Sequence, residues 1–167
     1  MTDLVDVVLE DGEWARLDIE AIAGRACAAV LDHLGLPAQG YEIVVLACDD
    51  ARIAGLNSDF RGKDGATNVL SWPAFDLAAA APGADPKAPP PPNPADPESL
   101  GDMALARETC LREATQQGKP IPDHLTHLIV HGCLHLLGYD HVMEKDAGLM
   151  EAHEVAILAK LGVPDPY

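Results

Sequence analysis

Apolar and polar positions divide the chain into alternating strand-like and helix-like stretches. Residues 4–9 (LVDVVL) are rich in β-branched side chains and read as a strand. Asp18 is then placed to cap a helix carrying Ile19, Ile22, Ala23, Ala26, Val30, Leu31 and Leu34 at helical spacing, with Gly35 and Pro37 as its stop. The continuous apolar run at 41–48 (YEIVVLAC) reads as a central strand, after which Asp49 and Asp50 open a short helix through about Leu56. From Leu56 to Pro73 a polar, glycine-bearing stretch leads into a short strand at 67–71. Residues 101–106 suggest another strand, followed by a helix over about 107–117. Asp123 begins a strongly apolar helix, HLTHLIVHGCLHLLG, and a last helix spans about 144–161 with Leu149, Met150, Val155, Ile157, Leu158 and Leu161 in it. Interleaved strands and helices place the chain in the α/β or α+β class.

One stretch breaks the pattern. Eight of the fourteen prolines fall at 82–97. Proline donates no ladder hydrogen bond, and successive prolines favour polyproline II. Residues 76–98 therefore read as a Pro/Ala-rich surface insertion, partly disordered, in what is otherwise one domain spanning 1–167. It contains a PxxP spacing, a candidate partner motif, although such tracts more often serve simply as loops.

Composition narrows the setting. Only 4% of residues are aromatic, so Leu, Val, Ile and Ala must do most of the packing. No apolar run approaches the roughly 20 residues that span a bilayer. The acidic start MTDLVDVVLEDGEW lacks the layout of a secretory signal, and the expectation is a soluble cytoplasmic protein without membrane contact. Cys27, Cys48, Cys110 and Cys133 are scattered without a CxxC pair and read as free buried thiols. The net charge of −16 argues against nonspecific nucleic-acid binding. Residues 1–50 hold eleven acids against two bases, a net of −9, so a local basic site elsewhere stays open.

The candidate chemistry lies at His131, His135 and His141. Residues four apart sit one turn above each other on a helix, so His131 and His135 can address one ion. Gly138 supplies a left-handed turn that lets the chain fold back and bring His141 over. Three histidine ligands leave a tetrahedral zinc one open position for water, the arrangement of a catalytic site. Imidazole also accepts copper, nickel or iron. Cys133 is offset from both helical histidines and reads as a packing residue. His127, one turn before His131, reads as a second-layer or solvent-facing residue, while His33, His124 and His153 read as ordinary surface histidines. Asp140 has two readings of equal weight, orienting an imidazole or shaping the turn.

The spacing of His131, His135, Gly138 and His141 equals the metzincin pattern H-E-x-x-H-x-x-G-x-x-H, in which the glutamate is the general base. Here that position is Gly132, which leaves peptide hydrolysis without an evident base. HGCLHLLGYDH at 131–141 instead resembles the motif of the YbeY family, single-strand-specific metallo-endoribonucleases of bacteria. LNSDFRGKDGATNVLSWP at 56–73, GDMALA at 101–106 and the closing LGVPDPY resemble further blocks of that family, so the likeness covers most of the chain from about residue 41. Two departures stand out: Asn68 where many members carry aspartate, and the long proline-rich insertion.

The resemblance implies a mixed sheet packed with helices, one Zn2+ held by His131, His135 and His141, and cleavage of single-stranded RNA. It also implies roles in 16S ribosomal RNA 3′-end maturation and ribosome quality control, with the ribosome or its proteins as partners. The family's important arginine maps onto Arg61, where a guanidinium can bind two phosphate oxygens as charge builds during cleavage. A metalloprotease-like hydrolase, or a noncatalytic ribosome-associated metalloprotein with a fourth ligand such as His127 or Cys133, are the alternatives.

Overall fold

The computed structural model describes residues 4–62 and 65–167, with Phe60 and Arg61 described by their backbone alone. Among these residues, four strands form one mixed sheet in the order β1-β2-β4-β3. Strands β1 (Val5–Leu9), β2 (Tyr41–Cys48) and β4 (Glu98–Ala106) run parallel, and β3 (Val69–Pro73) pairs antiparallel with β4. This is an α+β arrangement, with α1 (Ile19–His33), α2 (Asp50–Arg61), α3 (Arg107–Gln116), α4 (Ile121–Leu136) and α5 (Glu144–Lys160) packed around the sheet.

Period-two alternation explains the layers. Ile43, Val45, Ala47, Met103 and Leu105 point into a core shared with α1, α4 and α5. Leu46, Cys48, Ala104 and Ala106 face the other way and meet Ile53 and Leu56 of α2, with Leu70 of β3 closing that layer. The apolar run at 41–48 is continuous because β2 lies between two strands and carries side chains into both layers. The cysteines are free and buried, as read from the sequence. Burial pushes the thiol of Cys48 up to about 12.

Several local expectations need correction. Asp18 adopts a left-handed backbone (φ 54°), and its side chain makes no cap bond to α1. It instead joins α1 to a short 3-10 helix at Gly12–Leu17, whose Trp14 is fully buried and donates from Nε1 to the Cys48 carbonyl at 2.7 Å. Helix α2 is capped by Asp49, which accepts from the Arg52 amide at 2.8 Å, and it continues five residues past Leu56 to Arg61. Its polar last turn still has a use, because Asn57 is buried and donates to the Gly65 carbonyl at 3.1 Å. His124 is not on the surface: it is 3% exposed and its Nε2 meets Glu113 at 3.1 Å. Nor are His33 and His153 ordinary surface residues. They meet each other at 3.0 Å between α1 and α5.

The proline-rich segment forms no helix or strand, yet it is tied to the body along its length. Leu77 is buried, the Gly83 amide donates to Asp146 at 2.8 Å, and the Tyr41 hydroxyl donates to the Pro90 carbonyl at 2.7 Å. Amides of Asn93 and Glu98 both donate to the Gly40 carbonyl, at 3.0 and 2.9 Å. The near end of this strap presses on the turn after α4. A Cβ at Gly138 (φ 100°) would lie 2.5 Å from the Leu77 carbonyl oxygen and 2.8 Å from Pro86.

Gly138→Ala is thus expected to be destabilising twice over, through left-handed strain and through overpacking against backbone, by about 2–4 kcal/mol in sum. Thermal unfolding should show Tm lowered by roughly 5–15 °C; an unchanged Tm would mean the strap does not press on the turn.

Candidate metal centre

Helix α4 lies close against the sheet, and this sets the direction of its histidines. A Cβ at Gly132 would meet Met103 Sδ at 2.6 Å and Ser71 Oγ at 3.1 Å, and the Ser71 hydroxyl donates to the Gly132 carbonyl at 3.3 Å. Gly132 is therefore the contact point between helix and sheet. A side chain there would have to displace Met103 and crowd Ser71, and as glycine the position supplies no carboxylate of the metzincin kind. With that face fixed inward, His131 and His135 emerge one turn apart into a cleft of about 800 Å³ bordered by β3, by residues 74–78 leading into the strap and by Asn57 of α2.

The turn at 137–140 then reverses the chain. The Tyr139 amide donates to the Leu134 carbonyl at 3.1 Å, and Asp140 accepts from the His141 amide at 2.7 Å. Asp140 thus shapes the turn; its carboxylate is 4.0 Å from the His141 ring nitrogen. The result joins the histidines singled out in the sequence. His131, His135 and His141 each offer a nitrogen, all within 4.8 Å of one another, and among the described residues they are the one such group able to hold a metal ion.

Hydrogen bonds behind the trio fix which nitrogens face inward. His135 Nδ1 is 2.9 Å from the Tyr139 carbonyl oxygen, which can only accept, so Nδ1 carries the proton. His131 Nδ1 is 2.8 Å from Glu154 Oε1. Burial alone would raise the Glu154 pKa, but hydrogen bonds from His127, His131 and Tyr167 outweigh it and hold the carboxyl at about 2, so it is an acceptor too. His135 is pushed down to about 4 by burial and by neighbouring His131 and His141, and is neutral at pH 7. The two Nε2 atoms are therefore turned inward and face each other at 3.0 Å. Nitrogens that close need a proton or a cation between them. Ligand nitrogens around a tetrahedral zinc, with bonds of roughly 2.0–2.1 Å, lie about 3.3 Å apart. The trio fits a metal ion in spacing, and the Nδ1 bonds of His131 and His135 leave their Nε2 atoms facing the site.

Glu154 was not singled out in the sequence. It is wholly buried within the apolar stripe of α5 that holds Met150, Ile157 and Leu158. One carboxylate in a helical stripe of core residues was the available signal, because a buried charge requires partners. Its partners are His131, the Tyr167 hydroxyl at 2.6 Å and His127 Nε2 at 3.3 Å. His127 thus faces Glu154 rather than the trio. Cys133 belongs to the core, where a hydrogen bond with Cys27 and burial hold its thiol well above its ordinary range. Neither of the candidate fourth ligands joins the group. Arg61 is the last residue of α2, one turn beyond cleft-lining Asn57, and its side chain lies outside the described residues.

Glu154→Gln should weaken zinc binding by about 10–100-fold, the usual cost of losing an outer partner of a ligand histidine, as read by competition with a chromophoric chelator. The pH response of the metal-free protein has a definite sign. Its folded His135 titrates at about 4 against 6.5 when unfolded, so the unfolded chain takes up the proton first. Stability contributed by neutral His135 is intact above pH 6.5 and is lost as pH falls toward 4. Chemical denaturation of chelator-treated protein at stepped pH values should show this loss, and His135→Ala should reduce it.

The family description Endoribonuclease YbeY matches residues 8–162. A Cereibacter sphaeroides protein of that name is 60% identical over 167 residues, covering 100% of both chains. Another from Paracoccus denitrificans is 54% identical over 165 residues, which is 99% of this chain and 90% of the relative. The solution structure of a Thermotoga maritima protein superposes with a TM-score of 0.54 at 18% identity, over 95% of this chain and 91% of that one, and supports the fold alone. The resemblance carried by the histidine motif and its neighbouring blocks therefore holds over nearly the whole length, and the chain belongs to the endoribonuclease YbeY family.

Proposed function

We propose that this protein is a zinc-dependent endoribonuclease specific for single strands, acting in the cytoplasm on precursor 16S ribosomal RNA during 3′-end maturation and in ribosome quality control. The observation that carries the reading is the pair of Nε2 nitrogens facing each other at 3.0 Å, beside His141, in the cleft of a chain of this family. His131, His135 and His141 hold the ion. Zinc, when bound, polarises a phosphoryl oxygen and lowers the pKa of water.

The chain's own residues supply the rest. Hydrogen bonds at Nδ1, to the Tyr139 carbonyl on His135 and to Glu154 on His131, turn both Nε2 atoms toward the ion. Arg61, at the end of α2, is the residue assigned to stabilise charge developing on phosphate oxygens, as a guanidinium can bind two of them. Glu154 is excluded as general base, since both of its oxygens are occupied and it is sealed from solvent. The overall charge of −16, and Asp76 and Asp140 on the cleft walls, work against holding a polyanion by general attraction. Delivery of the RNA by the ribosome or its proteins would relieve that need. A zincin-type protease is disfavoured because Gly132 supplies no carboxylate where that mechanism needs its base.

The test is cleavage of matched single-stranded RNA, duplex RNA and single-stranded DNA by metal-loaded protein. Single-stranded RNA should be cut and the duplex spared. His135→Ala should lose both metal and cleavage, whereas Arg61→Ala should keep the metal and lose roughly 10²–10³ in rate. Zinc-loaded wild type that leaves single-stranded RNA intact while digesting casein would overturn the reading.

A further inference from the structure

The buried carboxylate behind His131 depends on a residue distant from the histidine motif. Glu154 Oε1 serves His131 and His127, while Oε2 receives the Tyr167 hydroxyl at 2.6 Å. Tyr167 reaches that point by a short directed path. Gly162 (φ 76°) turns the chain out of α5, the Val163 amide donates back to the Leu158 carbonyl at 2.9 Å, and Pro164 and Pro166 limit the intervening backbone to extended forms. The Tyr167 amide donates to Asp165 at 2.9 Å, and the ring stands edge-on to His127 with centroids 5.7 Å apart. Yet the residue is 62% exposed. Its docking rests on the bond to Glu154 and the His127 contact rather than on burial.

We propose that Tyr167 is a positioning residue for the metal centre: its hydroxyl clamps Glu154 in the orientation that holds His131, so that docking of segment 162–167 and metal loading are coupled. This rests on the metal-site reading above. A carboxylate sealed in an apolar stripe needs donors on both oxygens. Without the phenol, the bare oxygen is relieved when Glu154 rotates toward water, and that rotation releases the His131 Nδ1–H. A ligand histidine free to turn binds metal less tightly. The coupling is reciprocal: a metal on His131 strengthens the Nδ1–H as a donor, pins Glu154 and so favours the docked tyrosine. It gives the LGVPDPY motif a physical task.

Zinc affinity by chelator competition, and the visible spectrum of the cobalt-substituted protein, test this in wild type, Tyr167→Phe, Tyr167→Ala and Glu154→Gln. Tyr167→Phe keeps the ring contact and removes one hydroxyl. It should weaken zinc binding by roughly three- to tenfold, less than Glu154→Gln, and alter the cobalt spectrum. Tyr167→Ala should cost at least as much. In the wild type, zinc should slow amide hydrogen exchange at 162–167, and in Glu154→Gln it should not. Affinity and spectrum unchanged or improved in Tyr167→Phe, with Glu154→Gln weakened, would overturn the clamp and leave the metal site standing. A wild type that binds no zinc would overturn both.

Discussion

Two imidazole Nε2 atoms face each other at 3.0 Å, because the Nδ1 proton on the opposite edge of each ring is already spent on a hydrogen bond. On His135 that proton goes to the Tyr139 carbonyl, and on His131 it goes to Glu154. Nitrogens so close call for a proton or a cation between them, and His141 completes a set of three that can hold a metal ion. Packing elsewhere keeps them together: a helix pressed on a sheet, a glycine turn under a strap, and a buried carboxylate with three donors around it. The chemistry proposed for this protein depends on that convergence.

The scaffold fixes the direction in which the histidines point. Gly132 brings α4 within contact of Met103 and Ser71, which sets the face of the helix turned to the cleft. Gly138 admits the Leu77 carbonyl and Pro86 where a side chain would stand, and this sets the path of the chain to His141. The proline-rich segment is fastened to Asp146 at one end and to Tyr41 and Gly40 at the other, and its residues 76–78 help to wall the cleft. An insertion of no evident purpose in the sequence thus borders the site.

Local features of the site were legible in the sequence, and distant ones were not. The four-residue step from His131 to His135 and the glycine that returns His141 are short-range geometry, and the structure brings the trio together. The strands were equally plain, since burial on one or both faces writes itself into alternation or continuous apolar runs. Glu154 lies 23 residues from His131, and only the packing of α5 on α4 unites them. His124 looked like a surface residue because its partner Glu113 belongs to another helix, and His33 and His153 are 120 residues apart. Helix α2 ran past its expected end because polar Asn57 found a partner in the Gly65 carbonyl, a contact that no propensity encodes. Asp18 had the chemistry of a cap, but the buried Trp14 of the preceding turn sets the entry angle of the chain.

X-ray absorption at the zinc edge of the loaded protein tests the central claim most directly. The account predicts a first shell of nitrogen and oxygen alone, with three imidazoles at roughly 2.0–2.1 Å and one lighter, exchangeable ligand. A sulfur at about 2.3 Å, or a fourth imidazole closing the shell, would contradict it.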